Sequence, residues 1–376
     1  MRNPVVTPDP VVARNAVVLI AVVATAAALV WLADILTPLA MAIFLMIVID
    51  GVKRAIEDRT SLPRRWAGMA ALAVVILLFA ASIAIIVYGA AGFFKQASGV
   101  STGIGPRIDQ IIADVAGLVG VTSPPTLHEL IEGVNIQSYL GGAALQAQGV
   151  LSGAFFVLVY LAFLLASQGG FRRKLVAMFP NREQRDEALA VFQRVRGGVE
   201  GYIWVQSVTG GLISLVAWVL MKAVGLQNAE FWAFVIFVVG FIPVLGGAVA
   251  GLAPALFALV QFPTYWQAAV LFFGLQAVLF VMGNAVQPRM QGDNQNIDPV
   301  AVLLSLALFG KMWGVVGMFL STPLAVMAMA ILAEFRGSRW MAILLSGDGE
   351  PYADEADQAR DNPPRPARAR KTPPAP

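Results

Sequence analysis

Cysteine is absent from this 376-residue sequence, which excludes disulfides and thiolate metal centres, and a single histidine cannot assemble an imidazole metal site. That histidine, His128, sits in the string His128-Glu129-Leu130-Ile131-Glu132, where a solvated loop residue is expected. Charge is scarce as well: 13% of residues are charged, about half of what soluble domains carry. No Gly-x-x-x-x-Gly-Lys-Ser/Thr loop is present to cradle a nucleotide phosphate, so ATP-driven pumping has no support. No nucleophile–base pair marks an enzyme, and no catalytic residue, metal or cofactor is expected. What fills the sequence is apolar: 58% hydrophobic residues and a mean hydropathy of +0.73. The expected partner is the lipid bilayer, and a nucleic-acid partner is not expected.

Stretches long enough to cross about 30 Å of hydrocarbon are 16–32, 66–90, 150–166, 208–224 and 267–286. The run 35–49 is shorter and is expected to break near Pro38, pairing with the first span as a hairpin around Asp34. Arg2 and Arg14 precede 16–32 much as basic residues precede a signal peptide, but a second apolar run comes at once, so a retained anchor is expected. Lys53, Arg54, Arg59, Arg64 and Arg65 fill a loop at 50–65, and Arg172, Arg173, Lys174, Arg182, Arg185, Arg194 and Arg196 fill a second short connection. Between them, 91–149 carries only Lys95 and Arg107 against Asp109, Asp114, Glu129 and Glu132. Lys and Arg in short loops mark the cytoplasmic side, which puts both termini and both basic loops inside and 91–149 outside.

Ile108, Ile111, Ile112, Val115, Leu118 and Val119 recur at helical spacing, an amphipathic stripe expected to pack on neighbouring protein. A second amphipathic helix at 182–200 sets Leu189, Val191, Phe192, Val195 and Val199 against a basic face suited to anionic headgroups. After Ser346 the chain turns rich in Pro, Asp and Arg and reads as a disordered tail. The expected fold is an all-α polytopic membrane protein with about eight hydrophobic segments. Its parts are a cytoplasmic N-terminus (1–15), N-terminal spans (16–90), an extracytoplasmic amphipathic region (91–149), a transport core (150–346) containing a cytoplasmic amphipathic helix (171–203), and a cytoplasmic tail (347–376).

Two apolar segments are interrupted in the same way. At 231–260 a run ends at Gly240, turns through Gly246 and Gly247, and resumes across Pro254; at 300–332 a run reaches Gly310, turns through Gly314 and Gly317, and resumes across Pro323. In hydrocarbon every backbone polar group needs an internal partner, so broken helices survive only where protein or a water-filled path covers them. A matched pair of such segments points to a transporter's substrate path. Two topologies fit the charges: opposed re-entrant hairpins, which place 288–299 inside, or two long kinked spans, which place it outside. Arg289 and the midpoint glycines favour hairpins.

From Arg194 onward the chain resembles the autoinducer-2 exporter family. The resemblance rests on an ordered series: Arg196 through Glu200 and Tyr202 to Gln206; Phe241-Ile242-Pro243-Val244-Leu245-Gly246-Gly247 followed by Pro254; Gln287-Pro288-Arg289-Met290-Gln291-Gly292; Ile297-Asp298-Pro299; and Gly314 to Gly317 followed by Pro323-Leu324-Ala325. It differs in having Gly247 where a proline is common, and Gly292-Asp293-Asn294 where a more basic sequence is usual. The resemblance implies a multi-spanning carrier of the bacterial inner membrane. Family members include exporters of the quorum-sensing signal autoinducer-2 and others associated with Na+(Li+)/H+ antiport.

The substrate path is expected to draw on Gln206, Pro243, Gly246, Gly247, Pro254, Gln276, Asn284, Gln287, Pro288, Lys311, Gly314, Gly317, Thr322 and Pro323. Helix starts after Gly246-Gly247 and after Gly314 would offer N–H groups to an anion or polarised oxygen, or the glycines would serve close packing. Gln276, Asn284 and Gln287 fall on one helical face and suit hydrogen bonding to a hydroxylated ligand or to another helix. Ser321 and Thr322 are placed to satisfy carbonyls freed by Pro323. Lys311, costly by about 2.5–3.5 kcal/mol at a helix centre, would meet water at a hairpin tip or snorkel. Glu200, Glu230 and Asp298 are the candidate coupling acids, all at segment ends. The leading expectation is a secondary exporter of a small polar metabolite working by alternating access. The alternatives are a Na+(Li+)/H+ antiporter, which would need those acids, and a non-transporting scaffold. Small-residue faces also allow a homo-oligomer.

Overall fold

The computed structural model describes residues 10–60, 62–97, 105–120, 125–126, 129, 136–179, 181–291, 296–335 and 337–351. His128, Gly292-Asp293-Asn294 and the tail beyond 351 therefore lie outside the described residues. All elements among the described residues are helical: α1 Pro10–Trp31, α2 Ala33–Arg59, α3 Arg64–Ala97, α4 Gly105–Val119, α5 Ile136–Met178, α6 Arg182–Val224, α7 Ala229–Val239, α8 Leu245–Gln261, α9 Trp266–Val281, α10 Gln287–Gln291, α11 Pro299–Glu334 and α12 Arg339–Leu345. By length and apolar composition alone, six of these helices could cross a membrane: α2, α3, α5, α6, α9 with its continuation, and α11, the last only if it ran straight. Large apolar side chains face outward along them, among them Leu77, Phe155 and Phe163. An apolar exterior over a packed interior suits lipid as the surrounding medium.

The helices differ from the sequence expectation in four places. The run 35–49 is not a short broken span, because α2 passes through Pro38 and continues for 27 residues. Pro38 has no N–H, so the Asp34 carbonyl loses its helical partner, and α2 continues past that one missing bond. The expected loop 50–65 is mostly helix, since α2 carries its basic residues to Arg59. The amphipathic helix 182–200 and the span 208–224 are one 43-residue rod, α6, capped at its start by the Asn181 side chain and ended by Gly225 in the left-handed conformation. Between α9 and α10, residues Met282–Val286 form a π-turn. That turn accommodates an extra residue and so rotates α10 about the helix axis relative to α9.

Both interrupted segments fold back on themselves. In the first, hairpin A, α7 and α8 run antiparallel: Trp232 and Phe257 lie with ring centroids 5.6 Å apart. The Gln261 amide closes the open end, accepting from Gln227 N–H at 2.8 Å and donating to the Gly225 carbonyl at 3.1 Å. Helix α7 has 11 residues, a length of about 16 Å, too short to cross hydrocarbon. In the second, hairpin B, α11 reverses at Gly314, which adopts φ 63° and ψ −144°. A Cβ on Gly317 would fall 2.0 Å from the Phe309 carbonyl oxygen, so the two arms touch through a glycine. The open end of hairpin B is clasped by Asp298 N–H to Leu345 O at 2.9 Å and by Asn296 with Gly347 N–H at 3.0 Å. A single kinked rod is incompatible with these contacts.

Helix α6 serves as the ruler for both hairpins. Hairpin A opens at its C-terminal end, where Lys222 pairs with Glu230 and Ser214 donates to the Ala233 carbonyl at 2.6 Å. Hairpin B opens towards its N-terminal half, where Arg194 pairs with Glu334. The hairpins are thus opposed, and their tips meet: Phe241 stacks on Phe319 at 5.1 Å, with Phe44 of α2 edge-on to Phe319 at 5.3 Å. One buried cluster, rich in alanine (Ala217, Ala229, Ala233, Ala250, Ala258), joins α6 to α9. The other joins α2, α3 and α5 to Tyr202 and the two tips. Small side chains let helices approach closely where no hydrophobic effect drives them together. Helix α4 docks at the open end of hairpin A through Arg107, which donates to Leu259 O at 3.1 Å and lies over the Tyr265 ring, and through Asp114, which accepts from Tyr265.

The close contact in hairpin B makes Gly317→Ala a test of this packing. We expect it to destabilise the purified protein by about 1–3 kcal/mol, the usual cost of overpacking. Gly201→Ala on α6, where a Cβ meets nothing within 4 Å, should leave the thermal midpoint unchanged or slightly raised.

Candidate functional site

A cavity of about 570 Å³ lies where the two hairpins and α6 converge. Its walls come from one stretch of α6 (Tyr202, Gln206, Thr209), the tip of hairpin A (240–247), the π-turn region (Gly283, Gln287), the first arm of hairpin B (Pro299, Val302) and its second arm (Thr322, Val326). No Lys, Arg, Asp or Glu is among the lining residues.

The tip of hairpin A would leave carbonyls unpaired at the end of α7, and α6 supplies their donors. Gln206 Nε2 donates to Gly240 O at 2.7 Å, and the Tyr202 hydroxyl donates to Phe241 O at 2.8 Å. A buried carbonyl left without a partner costs about 1–3 kcal/mol, so these two bonds hold the tip against α6. Gly246 is required there by close approach: its Cβ would meet Gly240 Cα at 2.7 Å. Thr209, also buried in the wall, turns its hydroxyl onto its own helix at Val205 O, 2.7 Å away.

Of the residues singled out in the sequence, Gln206, Pro243, Gly246, Gly247, Gln287 and Thr322 line this cavity. Pro254 is buried within α8, and Pro288 is exposed beside the cavity-lining Gln287. Lys311 is exposed, Gly314 forms the tip of hairpin B, Gly317 packs on Phe309, and Pro323 is buried next to Thr322; none of these lines the cavity. The expected amide face does not form. Gln276 Oε1 lies against Gly251, Asn284 donates to its own helix at Phe280 O, and Gln287 reaches the cavity, because the π-turn rotates the residues after it away from Gln276. Ser321 donates to Met318 O at 2.7 Å, whereas the carbonyl that Pro323 deprives of an N–H is that of Phe319.

The candidate coupling acids are engaged elsewhere. Glu200 accepts from Arg54 and from Arg196 Nε at 2.8 Å, and Arg196 also bonds Asp50 at 2.9 Å, a lattice joining α2 to α6. Asp298 caps α11, its Oδ1 accepting from Val300 N–H at 2.7 Å. Glu230 pairs with Lys222 at the far end of α6. Outside the apolar segments, the hydrogen bond to Asp114 raises the Tyr265 phenol above its ordinary range. Sequence reading overlooked Tyr202 and Thr209 as wall residues. Tyr202 carried a usable signal, since a tyrosine one turn before Gln206 on an apolar face needs a buried acceptor for its hydroxyl.

Opposed broken-helix hairpins around an uncharged cavity within an apolar helical bundle define a polytopic membrane protein of the transporter class. Comparison with known proteins narrows the class. The sequence profile of the AI-2E family transporters matches residues 19–337, and the chain belongs to that family. It is 27% identical over 331 residues to a Haemophilus influenzae protein provisionally named a transport protein, covering 85% of this chain and 92% of that one. It is 28% identical over 201 residues to the AI-2 transport protein TqsA of Escherichia coli, covering 54% of this chain and 57% of TqsA. A shorter match, 32% over 143 residues, joins it to a Mycobacterium tuberculosis protein also provisionally named for transport, covering 38% of this chain and 35% of that one.

Removing the amide that holds the tip should loosen it. In a chain without cysteine, a single cysteine at Val244 reports tip mobility by its thiol-labelling rate. We expect Gln206→Ala to raise that rate roughly three- to tenfold, the loss of one hydrogen bond, while Gln206→Glu with its carboxyl protonated at low pH restores it.

Proposed function

We propose that this protein is a secondary exporter of a small, uncharged polar metabolite, autoinducer-2 or a close chemical relative, across the bacterial inner membrane. The observation that carries the reading is the cavity between opposed hairpin tips, whose lining has hydroxyls, amides and backbone groups but no Asp, Glu, Lys or Arg. A neutral solute with several oxygens needs hydrogen bonds, not a counter-charge, and this wall offers them. The name of TqsA, which shares 28% of residues over its matched region, supports the same substrate class.

In this reading the hairpins are re-entrant, hairpin A from outside and hairpin B from the cytoplasm, with both termini cytoplasmic. Support comes from the length of α7, from the clustering of Arg54, Arg194 and Arg196 at the open end of hairpin B, and from the excess of Lys and Arg in that part of the sequence. Alternating access then means that one tip or the other closes the cavity. The Na+(Li+)/H+ antiport alternative is disfavoured because Glu200, Glu230 and Asp298 are tied into ion pairs or a helix cap away from the cavity. A scaffold role leaves the cavity unexplained.

Purified protein in proteoliposomes loaded with autoinducer-2 tests this directly. We expect saturable efflux that is reduced at least tenfold in Gly246→Leu, whose side chain would drive into the Gly240 backbone. Sodium-driven alkalinisation of a trapped pH dye, with no autoinducer-2 flux, would establish the antiporter in its place.

A further inference from the structure

The π-turn between α9 and α10 is followed at once by a proline, and together they leave a backbone carbonyl unclaimed in the cavity wall. In the widened register Gln287 N–H bonds Met282 O, five residues back. In an α-helix that N–H would go to Gly283 O, four residues back. The next N–H along, which the π register would bring to Gly283 O, belongs to position 288, and Pro288 has none. Gly283 O therefore loses both of its helical donors. Gly283 lines the cavity and is exposed, and a Cβ placed on it would meet nothing within 4 Å, so the space beside this carbonyl is open.

An independent observation is the side chain four residues on. Gln287 lines the same cavity and is only partly buried, and among the described residues no hydrogen bond holds its amide. The other polar side chains of the wall already have protein partners. Tyr202 donates to Phe241 O, Gln206 to Gly240 O and Thr209 to Val205 O, and Thr322 is enclosed beside the Tyr202 hydroxyl. Polar groups in a wall are paired as a rule, and the two left open here stand next to each other on one helix.

We propose that Gly283 O and the Gln287 amide form the pair that recognises the solute: the carbonyl accepts from a hydroxyl, and the amide donates to a neighbouring oxygen of the same molecule. The inference rests on the transport reading above for its biological use and deepens it by naming the chemistry of the solute, but its test reads binding alone. A backbone carbonyl only accepts, so the pair discriminates against a solute that has oxygens but no O–H. A cation would find neutral oxygens and no carboxylate in this wall, so a neutral hydroxylated molecule is preferred. The π-turn and Pro288 hold the carbonyl free in advance, so binding need not break a helix bond to obtain it.

The test uses the full-length protein in lipid nanodiscs and two probes, dihydroxyacetone and its dimethyl ether, which keeps every oxygen but has no O–H. Binding is read by saturation-transfer NMR and folding by thermal midpoint; a cavity of about 570 Å³ has room for either probe. Dihydroxyacetone is expected to bind, and about three- to tenfold more tightly than the ether, the loss of one hydrogen bond. Gln287→Ala should weaken dihydroxyacetone by a similar factor and leave the midpoint unchanged, because no bond within the protein is lost. Pro288→Ala restores an N–H that can claim Gly283 O, and Pro288 is exposed, so little packing is lost. That variant should bind about three- to tenfold more weakly while melting at the wild-type temperature or above. The proposal is overturned by a wild type that does not bind dihydroxyacetone, by the ether binding as tightly, or by either variant keeping full affinity. Displacement of dihydroxyacetone by sodium ions would also overturn it, assigning the pair to a cation. Binding with the expected pattern in a protein that moves nothing across proteoliposomes would sink the transport reading alone.

Discussion

A carbonyl inside hydrocarbon must find a donor, and the arrangement of this protein depends on where two of them find one. A hairpin that turns back within an apolar bundle exposes the end of its first helix at the turn. Here the carbonyls of Gly240 and Phe241 are taken by the side chains of Gln206 and Tyr202, one turn apart on α6. The long helix therefore does two things at once. It fixes the tip of hairpin A, and in doing so it turns a polar stripe, Tyr202, Gln206 and Thr209, towards the cavity beside the tip.

Glycine and alanine make that arrangement sterically possible. Gly246 sits on the backbone of Gly240, Gly251 takes the amide of Gln276, and Gly317 takes the carbonyl of Phe309; a Cβ at any of them would fall within 3 Å of a neighbour. The alanines of α6 to α9 perform the same service along the helix faces. Lipid gives helices no hydrophobic reason to associate, so close backbone approach and dispersion have to hold them. The two tips are then wedged by rings, Phe241 on Phe319 on Phe44, which ties hairpin B to the N-terminal helices.

Charge is kept out of the cavity wall. The lattice of Asp50, Arg54, Arg196 and Glu200 joins α2 to α6 at one end, with Arg194 and Glu334 adding α11. Lys222 and Glu230 mark the other end. Between them the cavity wall offers only uncharged hydrogen-bonding groups. An ion in the cavity would meet no compensating charged side chain in its wall. The same separation of charge explains why acids that looked available for coupling in the sequence are already committed as partners for basic residues or as a helix cap.

The sequence by itself determined that the chain is an all-α membrane protein, that two segments are interrupted at glycine, and which family it belongs to, because apolar run length, composition and short ordered motifs are enough to establish each. Hydrophobic periodicity, though, cannot see continuity: the charged and apolar halves of α6 look like two elements, and α2 looks broken at a proline that costs it one bond. Nor can spacing along a helix survive a π-turn, which is why Gln276, Asn284 and Gln287 share a face on paper and separate in space. Six of the residues expected in the path converge on one cavity, and the glycine cluster of hairpin A supplies Pro243, Gly246 and Gly247, whereas Gly314 and Gly317 of hairpin B stay outside it. The opposed direction of the hairpins and the pairing of Glu200 with Arg54 belong to the tertiary structure alone, because each depends on which distant group a backbone or side-chain polar atom meets, and local sequence does not encode that distance.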